Sequence, residues 1–275
     1  MPVKNRLIAT LLVHQGVVVQ TRKFRATNII GNVLTAVEFF STWAVDEIVI
    51  LEISQDRKGL PQFLETVKEI SARCFVPLSV GGKIRNLDHV ESYLEAGADK
   101  VVVNTGAFQA PELIEGIKNR YGSQCCIVSM DVRDGQTQSG FEVMINNGRE
   151  TTGKNAIDWV REAERLGAGE VLVNHVEYDG NKNGYHLGLV RKIVEETTIP
   201  VIAMGGVGEW AHLAQGLSEG GADAVAAGNI FHYKEHSTRL AKEFLLTQGF
   251  SMRKAQFYKL PKARTQEYRP ISGQK

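Results

Sequence analysis

Cysteine is scarce in this 275-residue sequence, which has three: Cys74, Cys125 and Cys126. An odd count with two side by side gives neither a disulfide framework nor metal-ligand spacing, and it suits incidental or buried thiols in a reducing cytoplasm. No metal or other cofactor is expected on this ground. Long apolar runs are missing as well, since nothing approaches the ~18 residues of a membrane span. The run Leu7–Val13, behind Lys4 and Arg6, is too brief for a signal peptide, has no small-residue cleavage pattern and reads as a first strand. Low-complexity segments are absent and 43% of residues are hydrophobic, which excludes a disordered, collagenous or coiled-coil chain. A charge excess is also lacking, with 32 Lys+Arg against 31 Asp+Glu. That near-balance conceals a division. Residues 251–275 hold seven basic side chains against Glu267 alone, a net +6, so the first 250 residues carry −5. A mildly acidic body with a basic tail is not the footprint of a nucleic-acid-binding domain.

What is present is an internal repeat. Val80-Gly81-Gly82, Ala96-Gly97-Ala98-Asp99 and Val101-Val102-Val103-Asn104 are answered by Met204-Gly205-Gly206, Gly220-Gly221-Ala222-Asp223 and Val225-Ala226-Ala227-Gly228, at an offset of 124 for the glycine pair and the Gly-Ala-Asp triplet. Asp46–Ile50 answers to Gly169–Val173, and Asp56 to Asp179, near an offset of 123. Short apolar runs at Leu7–Val13, Ile48–Ile53, Pro77–Val80, Lys100–Asn104, Cys125–Asp131, Glu170–Asn174, Pro200–Met204 and Ala222–Ala227 alternate with amphipathic stretches such as Leu60–Arg73, Pro111–Tyr121, Ala156–Leu166 and Leu187–Glu196. Near-continuous apolar strands separated by helices call for a parallel sheet covered on its outer face. Eight such units predict one α/β domain, a (β/α)8 TIM barrel over residues 1–250, built from (βα)4 half-barrels of about 1–123 and 124–250. A doubly wound sheet is the alternative. Phe141–Ile145 followed by Asn146-Asn147-Gly148 reads as a hairpin inserted after strand five and rising over the barrel top. Residues 251–275 form a basic C-terminal tail, with Pro261 and Pro270 arguing against a continuous helix.

In this fold chemistry sits on the loops after the strands, and phosphates bind after strands seven and eight. Gly205, Gly206, Ala227 and Gly228 occupy those loops, and Asp179-Gly180 completes the expected phosphate pocket. The repeat predicts a second such site from Gly82, Lys83, Asn104 and Thr105. There Lys83 either adds positive charge to a phosphate or fills the pocket. Asp131, ending strand five, is the candidate general acid/base, and its repeat partner is Leu12, which cannot carry a proton. Arg6, Glu47, Lys100 and Glu170 begin strands one, two, four and six and should ring the barrel bottom. On physics alone that ring reads as a stabilising ion-pair layer.

Set in this repeat, Gly81-Gly82, Ala98-Asp99-Lys100, Asn104-Thr105, Asp179-Gly180, Gly205-Gly206 and Phe231-His232 resemble the cyclase subunit of imidazole glycerol phosphate synthase, the HisF family, over residues 4–250. The resemblance implies a glutaminase docked on the bottom face, an ammonia gate of Arg6, Glu47, Lys100 and Glu170, and Asp99 as a contact with that partner. It also implies a two-phosphate substrate at the top, where Asp131 matches one of two catalytic aspartates. Departures gather at the top. Leu12 replaces the other aspartate, Gln20 a lysine and Glu52 an aspartate. Lys83 stands where a third glycine belongs, and Asn174, His175 and Met204 stand where small hydroxyl residues are usual.

With the ammonia end kept and the top rewritten, the chain is similar to the divergent branch found with surface-polysaccharide genes. Members of that branch serve with a glutaminase paralogue and an ATP-dependent sugar amidotransferase in acetamidino modification of a nucleotide-linked or lipopolysaccharide sugar. The alternatives are an authentic cyclase-lyase of histidine biosynthesis and a non-catalytic ammonia conduit.

Overall fold

The computed structural model describes residues 4–42, 45–55, 59–232 and 237–253. In the first half the chain forms β1 (Arg6–His14), β2 (Val17–Arg22), β3 (Arg25–Asn32), α1 (Val33–Thr42), β4 (Glu47–Glu52), α2 (Leu60–Ser71), β5 (Leu78–Gly81), α3 (Leu87–Glu95), β6 (Lys100–Val103), α4 (Thr105–Gln109) and α5 (Glu112–Tyr121). The second half follows with β7 (Cys126–Asp134), β8 (Phe141–Ile145), β9 (Glu150–Asn155), α6 (Ala156–Leu166), β10 (Glu170–His175), α7 (Leu187–Glu195), β11 (Val201–Met204), α8 (Trp210–Ser218), β12 (Ala224–Ala227) and α9 (Ser237–Thr247).

Eight strands, β1, β4, β5, β6, β7, β10, β11 and β12, pair in parallel, and β12 returns to β1 to close the barrel. The doubly wound alternative is thereby excluded. Period-two alternation sorts the side chains of each strand. On β1, Leu7, Ala9, Leu11 and Val13 join the outer core under the helices, while Ile8 lies in a separate inner cluster against which Leu12 packs. That inner cluster, with Val49, Val102, Ile127, Leu172 and Ile202, fills the barrel bore.

The helices carry the expected start and stop signals. Asn155 caps α6 by accepting the Ile157 N–H, and Gly167 ends it in a left-handed turn. The Gly-Ala-Asp triplet proves to be a strand-starting device. Asp99 accepts the Leu78 N–H at 2.8 Å and Asp223 the Val201 N–H at 2.9 Å, each carboxylate holding the preceding barrel strand. Asp46 repeats the bond to Leu7 N at 2.9 Å. Its other oxygen takes the Lys242 ammonium of α9 at 2.6 Å, with both side chains 2% exposed.

Each half carries one antiparallel hairpin beyond its first strand. The β8–β9 hairpin stands where the sequence places it, paired to the extension of β7. The β2–β3 hairpin on β1 is its counterpart in the first half and was not read from the sequence. At the far end the body runs past 250, because Met252 is buried and bridges Asn5. The basic tail lies, from residue 254 onward, outside the described residues.

Candidate functional site

A cavity of about 560 Å³ opens at the C-terminal ends of the barrel strands. Its floor is apolar: Leu12, Leu51, Val102, Leu172 and Met204 line it, and all belong to or pack on the inner cluster. Polar side chains stand above that floor. Asp131 comes from β7, Asn104 from the end of β6, Asn174 from β10, Glu52 from β4 and Asp179 from the loop after β10.

Asp131 is 9% exposed, and burial pushes its carboxyl up to about 7. A hydrogen bond from Asn104 opposes that rise, and the neighbouring Asp179 charge adds to it. A carboxyl poised near neutrality gives and takes protons at working pH. Asp179 is held differently. Burial also raises it, but its Oδ2 accepts the Phe24 N–H at 2.9 Å, while its carbonyl accepts the Lys23 N–H, also at 2.9 Å. These two bonds clamp the β2–β3 turn, in which Lys23 and Phe24 both have positive φ. Glu52 is turned back on its own loop, accepting the Ser54 N–H at 2.6 Å.

The two expected phosphate loops differ in surroundings. Gly82, Lys83, Asn104 and Thr105 all line the cavity. Gly82 (φ +108) must be glycine, because a β-carbon there would sit 2.3 Å from the Glu52 carbonyl oxygen. Lys83 stands in the wall shared with a second cavity of about 260 Å³ beside β1 and α2. By contrast Gly180, Gly205, Gly206, Ala227 and Gly228 stand outside the walls of the large cavity. Neighbouring backbone crowds two of the glycines: β-carbons would fall 2.1 Å from the Thr21 carbonyl oxygen at Gly180 and 2.0 Å from that of Gly184 at Gly206. Gly184 N–H also donates to Gly206 O at 2.8 Å, and Gly228 closes against Thr10.

Among the residues the resemblance singled out, Leu12, Asn174 and Met204 face the cavity, while Gln20 and His175 do not line it. His175 instead packs among Phe141, Tyr178 and His186. Sequence reading missed the basic rim of the cavity, where Arg25, Arg85 and Arg149 join Lys83. Arg149 follows the β8–β9 turn, the one signal that could have found it.

At the opposite end the four expected charges form a closed ring. Arg6 contacts Glu47 at 2.7 Å and Glu170 at 2.5 Å, and Lys100 contacts Glu170 at 2.5 Å and Glu47 at 3.4 Å. Burial opposes ionisation of Glu170, yet hydrogen bonds and charge from Arg6 and Lys100 hold it below the usual carboxylate range. Asp99, exposed beside this ring, spends one oxygen on the Leu78 N–H.

The profile of the "Histidine biosynthesis protein" family matches residues 6–237. The chain is similar to the imidazole glycerol phosphate synthase subunit HisF of Clostridium botulinum strain Okra, at 38% identity over 251 residues, covering 91% of this chain and 99% of that protein. The same-named subunit of strain Langeland is 39% identical over equal shares. With the closed barrel, the strand-end cavity and full-length similarity together, the chain belongs to the histidine biosynthesis protein family, among its HisF-like members.

Proposed function

We propose that this barrel is the ammonia-receiving subunit of a glutamine-dependent amidotransferase, serving acetamidino formation on a nucleotide-linked or lipopolysaccharide sugar. The observation that carries this reading is the contrast between the two ends of one bore. A complete ring of Arg6, Glu47, Lys100 and Glu170 closes the bottom, while at the top Leu12 lies beside Asp131, and the other cavity carboxylates, Glu52 and Asp179, each accept a backbone N–H. Ile8, Val49, Val102, Ile127, Leu172 and Ile202 lie in the bore between them. An apolar interior admits neutral ammonia and excludes ammonium, whose desolvation is costly. Ammonia would come from a glutaminase seated over the ring and Asp99.

Splitting a cyclisation and a lyase step between acid and base takes two tuned groups. Here Leu12 carries no proton, and Asp179 is engaged by Phe24. Replacing the oxygen of an acetamido group by nitrogen has other needs. ATP on a partner sugar amidotransferase activates the oxygen, which departs on phosphate as ammonia attacks the carbon. The barrel has only to deliver ammonia and hold or release a proton at Asp131. The basic rim of Arg25, Lys83, Arg85 and Arg149 suits a phosphate-bearing substrate.

A second reading, the authentic cyclase-lyase, is favoured by the names of the relatives and by the near-neutral Asp131. The two separate in one assay, ammonia-dependent turnover of the cyclase substrate by the purified chain. The sugar reading predicts none above background. Turnover at rates typical of an enzyme would instead establish the cyclase-lyase.

A further inference from the structure

Asp134 at the end of β7, His175 at the end of β10 and His186 at the start of α7 come together on the barrel rim, outside the wall of the large cavity. Their ligand atoms all lie within 4.8 Å of one another. His175 Nε2 is 3.4 Å from Asp134 Oδ1, and His186 Nε2 is 4.0 Å from the same oxygen. Ligands of a tetrahedral zinc stand ~3.3 Å apart when each bond is ~2.0 Å, and both histidine contacts to Asp134 lie within an ångström of that spacing.

The second observation is His175 itself. It is 2% exposed, its Nδ1 has no hydrogen-bond partner, and its Nε2 meets only Asp134 Oδ1, at 3.4 Å and outside hydrogen-bond geometry. A buried polar atom without a good partner is costly, and a metal ion at Nε2 would satisfy one of the two ring nitrogens. The surrounding rings fix the arrangement. His175 and His186 stack with centroids 4.8 Å apart, and Phe141 sets its edge against both.

His186 also serves its own helix. Its Nδ1 caps α7 by accepting the Leu189 N–H at 3.0 Å, which leaves the proton on Nε2. Metal at Nε2 would move that proton to Nδ1, where it would face the Leu189 N–H, so the His186 ring must turn off its cap as the ion binds. The Leu189 N–H keeps a partner, because it also reaches the His186 carbonyl at 3.0 Å.

We propose that Asp134, His175 and His186 form a zinc site, with solvent water as the fourth ligand. Two imidazoles and one carboxylate favour zinc over magnesium or calcium, which prefer all-oxygen cages. Asp134 is 76% exposed, so the ion reaches the site from solvent. The site ties together two segments that reach the cavity. Asp134 lies three residues beyond Asp131, and the His175 carbonyl accepts the Asp179 N–H at 3.2 Å. Bound zinc would therefore stiffen the rim that sets the Asp131–Asp179 pair.

The test titrates zinc chloride into the metal-free full-length chain by calorimetry, with cobalt(II) absorption reporting the ligands. Expected are one ion per chain, a raised Tm and a cobalt spectrum without thiolate charge transfer. Asp134→Asn, a change at an exposed side chain, should weaken binding at least ~10-fold and remove the Tm shift, as should His186→Gln. Failure of the wild type to bind stoichiometrically, unchanged affinity in Asp134→Asn, or a thiolate band placing the ion on cysteine would each overturn the proposal.

Discussion

Phe24 and Gly148 meet at the rim of the cavity, where a β-carbon added to Gly148 would fall 2.8 Å from Phe24 Cδ2. Phe24 tips the β2–β3 hairpin and Gly148 the turn of the β8–β9 hairpin, so the two insertions, one from each half, touch tip to tip. Each is tied down separately. Asp179 holds the Phe24 N–H, and Asn146 N–H and Asn147 Nδ2 bond to Thr105 Oγ1 and the Ile53 carbonyl at 3.0 and 2.9 Å. Gly148 has φ +68, so Gly148→Val adds left-handed strain of about 1–2 kcal/mol and pushes the tips apart. Urea unfolding should show that loss, and substrate KM should rise with little change in kcat.

The ring at the barrel bottom supplies a second prediction. Glu170→Gln removes the charge shared by Arg6 and Lys100, whose contacts with it are both 2.5 Å. Breaking a largely buried ion pair costs of order 3 kcal/mol, measurable by denaturant titration. In the proposed complex, glutamine-dependent turnover should fall at least tenfold while turnover on added ammonium chloride persists. Equal loss with both nitrogen sources would deny the ring a role in transfer.

The pH dependence of stability tests Asp131. Its carboxyl moves from 3.8 to about 7 in the folded chain, so the folded state binds the extra proton. Stability is therefore greatest below pH 4 as far as this group is concerned, and it falls as pH rises to about 7. Three units correspond to ~4 kcal/mol at most. Asp131→Asn should abolish turnover, remove this slope and make the chain more stable than wild type at pH 8. A wild-type slope that survives in the variant would place the titration elsewhere.

Lys242 and Asp46 form a buried pair at 2.6 Å joining α9 to the start of β4. Burial already raises the Asp46 pKa, and Lys242→Met removes its main counter-ion, a loss of ~3–5 kcal/mol at most because the carboxyl can take up a proton. Lys242→Met with Asp46→Asn should recover part of it, and a double-mutant cycle reads the coupling.

The barrel was legible because the Gly-Ala-Asp triplets recur at a fixed offset and mark strand starts through Asp99 and Asp223. Asp131 was legible as a carboxylate at a strand end. The β2–β3 hairpin was not, because its turn, Arg22-Lys23-Phe24-Arg25, lacks the glycine or asparagine that announces left-handed residues. What holds that turn is Asp179, 155 residues away from Phe24 in sequence. Glycine was ambiguous for a related reason. At Gly82, Gly180 and Gly206 alike the missing side chain lets one stretch of backbone lie on another, but only Gly82 also lines the cavity. His175 was legible only as a departure from the small hydroxyl residue usual there, since its neighbours Phe141 and His186 arrive only with the fold.

Nitrogen tracing in the assembled complex tests the central claim most directly. The chain, its glutaminase and the sugar amidotransferase of the same cell are supplied with amide-15N glutamine, ATP, acetamido sugar and excess unlabelled ammonium chloride. The account predicts an acetamidino sugar whose new nitrogen is 15N, undiluted by the ammonium and dependent on Glu170. A product carrying the isotope ratio of bulk ammonium, or imidazole glycerol phosphate formed by the chain with no sugar product, would contradict it.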